Sequence, residues 1–582
     1  MVRGEINSLI KKAIREVQKE KKLPKFKIDE VLVENPGNEK FGDYATNVAM
    51  QISKILKKDP MEIAEIIKSQ ITNYKLQTKY PEGKHLASYG AGKTQNTNKS
   101  KIFERIEIAS PGFINFFISK EYLQKQVLDI LKKGEKFGDL DIGKKKKIHP
   151  VKSSLRRGVR PSGEQFNRVQ IEFISANPTG PLTIGNTRGG PFGDVLGNIF
   201  KKAGFKVERA YYVNDFGNQI LALGHSVLKD KEAVYKGEYI DKLQKRIKEK
   251  EPYKAGQKAA KIIINEMIKK TVKKIGIKYD EWFLESHLHR LGEVDKVIQF
   301  LKKKKLVYKK EGALWFKSSK YGDNRDRVLV KKDGSKTYLA GDIAYHRYKF
   351  EKKKFEQVID IWGADHYGDV LGLKAGIEAL GYKSKLEIIL HQFVTLFEKG
   401  ERVRMSKRKG VYFTMDELLN EVGSDVMRFF FLQKSINTHL NFDLDLAKEQ
   451  SEKNPVYYVQ YAHARIHSIL AKITNHKLQI PNKSQITNSK LKKLNHSTEL
   501  SLIKQLIRFP EVIEDTVKDY QVQRLPQYAL DLSAVFHQFY RDCRVISENK
   551  ELSQARLALI LATEIVLKGV LDLMRVSAPK KM

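Results

Sequence analysis

The chain has 582 residues, 41% of them hydrophobic and 10% aromatic, which excludes a disordered polycation and, at roughly 150 residues per domain, predicts about three to five cores rather than one. Its 108 Lys and Arg against 69 Asp and Glu leave a formal charge of +39, which points to a polyanionic partner such as RNA or DNA because cations that neutralise phosphates release counterions; a Lys-rich composition without a ligand is the alternative. The single cysteine, Cys543, excludes an internal disulfide framework and every multi-cysteine zinc site, and fits a reducing cytoplasm.

Taken in chain order, the opening MVRGEINSLIKKAIREVQKEKK sets Ile6, Leu9, Ile10, Ala13, Ile14 and Val17 at helical spacing, while Glu5, Glu16 and Glu20 argue against a cleaved presequence. Residues 71–101, 144–168 and 471–499 are rich in Lys, Asn, Thr and Ser and read as surface insertions or linkers. Strand character occurs at Val169–Ser175, Arg209–Val213, Gln357–Trp362 and Glu387–Leu396, with helical patterns between several of them, which predicts a mostly parallel sheet. From about residue 445 amphipathic helical patterns dominate, and the apolar stretch Leu557–Met574 carries Glu564, Lys568 and Asp572, which excludes a membrane span.

Two segments carry chemistry. In RVQIEFISANPTGPLTIGNTRGGPFGDVLGNIF a strand ends near Ser175, a Pro- and Gly-rich loop follows, and a helix starts near Asn186 or after Pro191. Free backbone N–H groups and a helix dipole then face the carboxyl edge of the sheet, where anions bind; a tight turn whose glycines serve only packing is the alternative. In ERVRMSKRKGVYFT, Arg404, Lys407, Arg408 and Lys409 surround Met405 and Ser406, the make-up of a mobile clamp for a departing pyrophosphate or of a solvated basic loop.

Together, about 220 residues apart, Thr183-Ile184-Gly185-Asn186 and Arg404-Met405-Ser406-Lys407 resemble the HIGH and KMSKS motifs of class I aminoacyl-tRNA synthetases. SANPTGPL (175–182), YYVNDFGNQI (211–220), DRVLVKKDGSKTYLAGDIAYH (326–346), WGADH (362–366), NPVYYVQYAHAR (454–465) and VSAPKKM (576–582) narrow the resemblance to the arginyl-tRNA synthetases, over nearly the whole chain apart from the three insertions. The resemblance implies a multidomain α/β protein. Its parts would be a small N-terminal α+β domain contacting the tRNA D-loop (1–119), a Rossmann-like parallel-sheet catalytic domain with a helical insertion near 220–300 (120–445), and an all-α anticodon-binding domain (446–582).

The same resemblance implies ATP-dependent activation of L-arginine, with ATP as its Mg2+ complex, and transfer to tRNA(Arg) by a cytoplasmic monomer with no membrane partner. Pro181, Leu182, Thr183, Gly185, Asn186, Met405, Ser406 and Lys407 then fall at the ATP site, with Thr183, Gly185, Asn186 and Lys407 catalytic. Glu172, Asn177, Tyr338, Asp342 and His366 fall at the arginine site, where a fixed carboxylate facing a planar guanidinium separates arginine from lysine. On the residues alone, Glu172 also reads as a solvent-facing strand residue and Asp342 as a helix cap. Phe113, Asn115, Tyr458, Tyr461, Arg465 and Met582 fall at tRNA contacts, and no dedicated metal-ligand cage is visible. Thr183 and Asn186 depart from the histidines usual in the family. They can bond phosphate oxygens but carry no positive charge, so a catalytically impaired tRNA-binding relative is the alternative.

Overall fold

The computed structural model describes residues 1–28, 30–77, 102–143, 168–403, 413–475 and 486–582. The chain opens with the helix Val2–Lys19, whose apolar stripe buries Val2, Ile6, Ile10, Ala13, Ile14 and Val17. Strands β1 (Tyr44–Thr46), β2 (Phe103–Ala109) and β3 (Phe113–Ile118) form an antiparallel sheet with β3 in the centre, and the helices Val48–Leu56 and Pro60–Gln77 pack beside it. The latter helix runs through the first seven residues of the stretch read as an insertion from residue 71.

The central sheet is built from β4 (Arg168–Phe173), β5 (Lys206–Val213) and β6 (Glu281–Leu284), followed by a separate antiparallel sheet of β7 (Val307–Lys310), β8 (Ala313–Phe316) and β9 (Arg327–Val330). The chain then returns with β10 (Gln357–Gly363) and β11 (Leu386–His391), giving five parallel strands in the order β11-β10-β4-β5-β6. This is the doubly wound, Rossmann-like order. The chain leaves β4 toward β5 and returns to its other side with β10, so a topological switch point opens between the carboxyl ends of β4 and β10, the place where such sheets bind ligands.

Three local expectations are corrected. Glu387–Leu396 is two strands rather than one: β11 ends at His391, and β12 (Val394–Glu398) joins β13 (Glu401–Arg402) and β14 (Leu440–Asp443) in another sheet. The region near 220–300 holds the helices Asn218–Leu228, Glu238–Arg246 and Pro252–Ile262, but it also supplies the edge strand β6. After β4 there are two helices in succession, Ile184–Thr187 and Gly189–Lys202, with Pro191 inside the first turn of the second.

Beyond β14 the described residues are helical. Pro455–Asn475, Phe509–Asp519, Arg524–Asp542 and Lys550–Met574 form the C-terminal domain, against which the N-terminal domain seats. Arg3 pairs with Glu514 at 2.6 Å and Asp515 at 2.8 Å, and the Tyr44 hydroxyl donates to Glu511 at 3.1 Å. The central sheet is tied to the same domain through Asp194, which is fully buried with Arg428 at 2.8 Å, Arg575 at 3.1 Å and Arg209 at 3.2 Å. No described helix is long and apolar enough to cross a membrane.

Candidate active site

At the carboxyl end of β4 the chain turns sharply: Ile174 and Ser175 both take left-handed backbone, φ 65° and 40°, a costly conformation for a β-branched residue that surrounding bonds must hold in place. Ser175 Oγ donates to Glu172 Oε1 at 3.1 Å and accepts the Tyr212 N–H at 3.0 Å. The Tyr211 and Tyr239 hydroxyls donate to the carbonyls of Ala176 at 2.9 Å and Thr179 at 2.8 Å. The loop across the switch point is therefore fixed before any ligand arrives.

That loop ends in a capping box. Thr183 Oγ1 accepts the Asn186 N–H at 3.2 Å, Asn186 Oδ1 accepts the Thr183 N–H at 3.3 Å, and the Thr183 hydroxyl donates to the same Oδ1 at 2.6 Å. The hydroxyl proton expected to reach a phosphate is thus engaged internally, whereas Asn186 Nδ2 has no partner among the described residues and stays exposed beside Gly185. Leu182 is buried and Pro181 half-buried, so they support the turn from beneath. Thr183 also bridges Thr414, and the Met415 N–H donates to the Leu182 carbonyl at 2.8 Å. Arg404, Met405, Ser406, Lys407, Arg408 and Lys409 lie outside the described residues. The chain resumes at Phe413, and the next two residues are anchored on the Thr183 turn.

The acidic side of the crevice comes from the helix Tyr338–Glu351, whose N-cap position is Thr337. Asp342 sits in the second turn, so it is not a cap. One turn further, His346 Nδ1 is 2.7 Å from the Asp342 carbonyl and Nε2 is 2.6 Å from Asp360 Oδ2. Lys349 Nζ lies 2.7 Å from Glu172 Oε2 and 3.1 Å from Asp360 Oδ1. Glu172 is therefore buried and already paired, not solvent-facing. Asp360 is held down to about 2; burial opposes this, and Lys349 and His346 outweigh it.

Asp342 is different. Its carboxyl has no hydrogen-bond partner among the described residues, and it is pushed well above the usual range, first by burial and then by Glu285, Glu172 and Asp360. A half-buried carboxylate among other carboxylates, with no cation paired to it among the described residues, is an arrangement that a bound cation relieves. Tyr338, at the start of the same helix, is 59% exposed, and its phenol is raised by partial desolvation, then by Glu285, Tyr235 and Asp342. Asn177 lies exposed in the loop after β4; His366 is exposed at the end of β10, near Trp362 and 3.7 Å from Asp369. Neither is hydrogen-bonded to Asp342 among the described residues.

Sequence reasoning did not reach His346, Lys349, Asp360, Glu285, Arg188 and His391. The 4- and 3-residue spacing of Asp342, His346 and Lys349 on one helix face was the available signal. Arg188 is fully buried with no carboxylate partner among the described residues; it donates to the carbonyls of Phe431, Lys434 and Ser435, and burial holds it near 10. His391, at the end of β11 against Gly189, is pushed down to about 4 by burial, with Arg188 adding to the effect. Its neutral form is favoured in the fold, so stability is fully present above about pH 6.5 and declines as pH falls toward 4, by an amount on the order of 3 kcal/mol. Comparing unfolding midpoints at pH 7 and pH 5, the expected drop is smaller in His391→Gln than in the parent; identical drops would refute this assignment. His463 and His537 are also lowered by burial, so the difference between the two proteins, not the drop itself, isolates His391.

The remaining expected contacts lie apart from the crevice. Phe113 is 38% exposed at the start of β3, but Asn115 is 3% exposed in the centre of the sheet. On helix Pro455–Asn475, Tyr458 is half-buried against His537, Tyr461 is 39% exposed beside Tyr457, and Arg465 lies 4.7 Å over the Tyr540 ring. Met582 is 54% exposed.

Three family models match the chain: the arginyl tRNA synthetase N terminal domain over residues 4–82, the catalytic domain of class I (R) tRNA synthetases over 229–437, and the DALR anticodon binding domain over 459–582. The arginine–tRNA ligase of Acetivibrio thermocellus is 38% identical, covering 100% of this chain and 99% of its own. That of Carboxydothermus hydrogenoformans is 41% identical, covering 94% of each. The Thermus thermophilus arginyl-tRNA synthetase structure superposes with a TM-score of 0.70 over 100% of both chains at 21% identity, a likeness of fold. With relatives this similar over its full length, the chain belongs to the arginyl-tRNA synthetase family.

Proposed function

We propose that this chain is an arginine–tRNA ligase. It activates L-arginine with ATP to arginyl-adenylate, releasing pyrophosphate, and transfers the arginine to the 3'-terminal adenosine of tRNA(Arg), releasing AMP. The observation that carries this reading is Asp342: a half-buried carboxylate with no cation paired to it among the described residues, raised by Glu285, by Glu172 of β4 and by Asp360 of β10. A guanidinium meets such a carboxylate with two parallel N–H donors, which an ammonium cannot do.

In the first step a carboxylate oxygen of arginine forms a bond to the α-phosphorus as the bond to pyrophosphate breaks. No side chain acts as nucleophile, so the protein contributes positioning and charge. Thr183, Gly185 and Asn186 hold the nucleotide, which enters as its Mg2+ complex, on a turn that Pro181 and Leu182 support from beneath, with Asn186 Nδ2 a donor unpartnered among the described residues. Met405, Ser406 and Lys407 close on the leaving pyrophosphate from a segment whose far end is anchored at Met415. Asn177, Tyr338, Asp342 and His366 surround arginine. Glu172, engaged by Lys349, acts on it through the field at Asp342. Residues 1–119, through Phe113, and residues 446–582, through Tyr458, Tyr461, Arg465 and Met582, grip tRNA beside a catalytic domain spanning 120–445, while Asn115 is buried in the same sheet as Phe113 and does not reach the tRNA. The +39 charge supports this, and the protein works as a cytoplasmic monomer.

Incubation with labelled arginine, ATP and a tRNA(Arg) transcript tests the reading. Arginine-dependent charging, with none for lysine, is expected; no charging at saturating ATP would leave a tRNA-binding relative without catalysis. Lys407→Ala should slow turnover by about 100-fold or more, as losing one transition-state donor does, while tRNA affinity stays within about 2-fold. Equal loss of both would make the segment an RNA contact.

A further inference from the structure

Away from the crevice, two C-terminal helices bring together three side chains that can ligate a metal. His463 and His467 lie one turn apart on Pro455–Asn475, and Glu564 comes from Lys550–Met574; their ligand atoms all lie within 4.8 Å of one another. His467 Nε2 is 3.3 Å from Glu564 Oε1, already the separation between two ligands of a tetrahedral ion bound at about 2.0–2.1 Å.

His463 adds an independent observation. The residue is 1% exposed, and its Nδ1 lies 2.8 Å from the Pro579 carbonyl. A carbonyl only accepts, so Nδ1 carries the proton and Nε2 is left with a lone pair. That Nε2 is buried with no hydrogen-bond partner among the described residues, and the ring centroids of His463 and His467 are 4.8 Å apart. An imidazole fixed through one nitrogen by a backbone carbonyl, with the other nitrogen unpartnered among the described residues and two further ligand side chains within 4.8 Å, is held as metal-binding histidines are. Lys568, one turn beyond Glu564, is the adjacent cation, and Asp572 engages it at 2.6 Å.

We infer that His463, His467 and Glu564 form a site for a divalent first-row transition metal, zinc being the ion its two imidazoles and one carboxylate suit, with a water completing the fourth position. Because His463 holds Pro579 through its other nitrogen, the ion clips the two helices and the chain's last residues into one unit. His463 and His467 stand four residues apart, and Glu564 lies 97 residues beyond His467 on a second helix, so only the fold completes the set that the histidine pair begins.

The test uses the full chain, free of any histidine tag and stripped of metal. Titration with Co2+, whose ligand-field bands report coordination by imidazole and carboxylate, should saturate at one ion per chain, and Zn2+ should displace it. His467→Ala and Glu564→Gln should each weaken cobalt binding by at least about tenfold. Both positions are half-buried, and a zinc-dependent rise in the parent's unfolding temperature, abolished in Glu564→Gln, is the second readout. Equal cobalt binding by parent and variants, no saturable bands, or no zinc-dependent rise would each overturn the site and leave a His467–Glu564 ion pair beside a core histidine.

Discussion

Asp342→Asn is expected to raise the arginine KM by about 100-fold, leave tRNA affinity unchanged, and hold or raise the unfolding midpoint of the free protein. The first effect follows from losing a charge-assisted pair worth about 1.5–3 kcal/mol, with the asparagine amide now turned toward a group that only donates. The last follows from desolvation. The folded carboxyl titrates well above its unfolded value because it is buried beside Glu285, Glu172 and Asp360, so its ionisation costs stability as pH rises above about 4 and through the raised value, a cost that asparagine removes. The same sign makes arginine bind more tightly as pH rises through that value, since the guanidinium needs the ionised form. An unchanged arginine KM would refute the role of Asp342. A loss of stability matching the loss of affinity would show instead that the residue is structural.

The second large effect is expected at Asp194, where arginines from β5, from the helix Met415–Gln433 and from the end of Lys550–Met574 converge on one buried carboxylate. Asp194→Ala leaves the guanidiniums of Arg428 and Arg209 buried without an anion, a change that costs about 3–5 kcal/mol. Burial already lowers the pKa of both. Because the network spans the catalytic sheet and the C-terminal helices, urea unfolding followed by fluorescence should show a lower midpoint and a separation of the transitions of the two domains. Arg575→Ala, which removes a half-exposed partner, should cost less than half as much. Equal midpoints for Asp194→Ala and the parent would mean that backbone carbonyls alone hold these arginines.

The strands β4, β5 and β10 were legible because their six to eight residues are rich in Val, Ile, Tyr and Phe, the residue types that favour a strand, even where Gln, Glu or Asp interrupts them. Strand β6 was not, since four residues among helices carry no period, and the break that separates β11 from β12 falls at His391 to Phe393, where no Gly or Pro marks a turn. The Thr183 turn could be placed from its glycines and prolines, yet its internal lock could not: a threonine three residues before an asparagine reads equally as a phosphate-binding pair and as a capping box. Asn115 shows the same limit, because a polar residue in an alternating strand gives no sign that both faces are covered. The compensation of Glu172 by Lys349 joins residues 177 positions apart, and only the fold brings them together.

One measurement bears most directly on the claim that nucleotide and arginine share the crevice between β4 and β10: the structure of the protein with a non-hydrolysable arginyl-adenylate analogue. The guanidinium is predicted to lie within hydrogen-bond distance of both Asp342 carboxylate oxygens, with the adenosine against Gly185 and Asn186. A guanidinium seated away from Asp342, or an adenosine on the opposite side of the sheet, would contradict it.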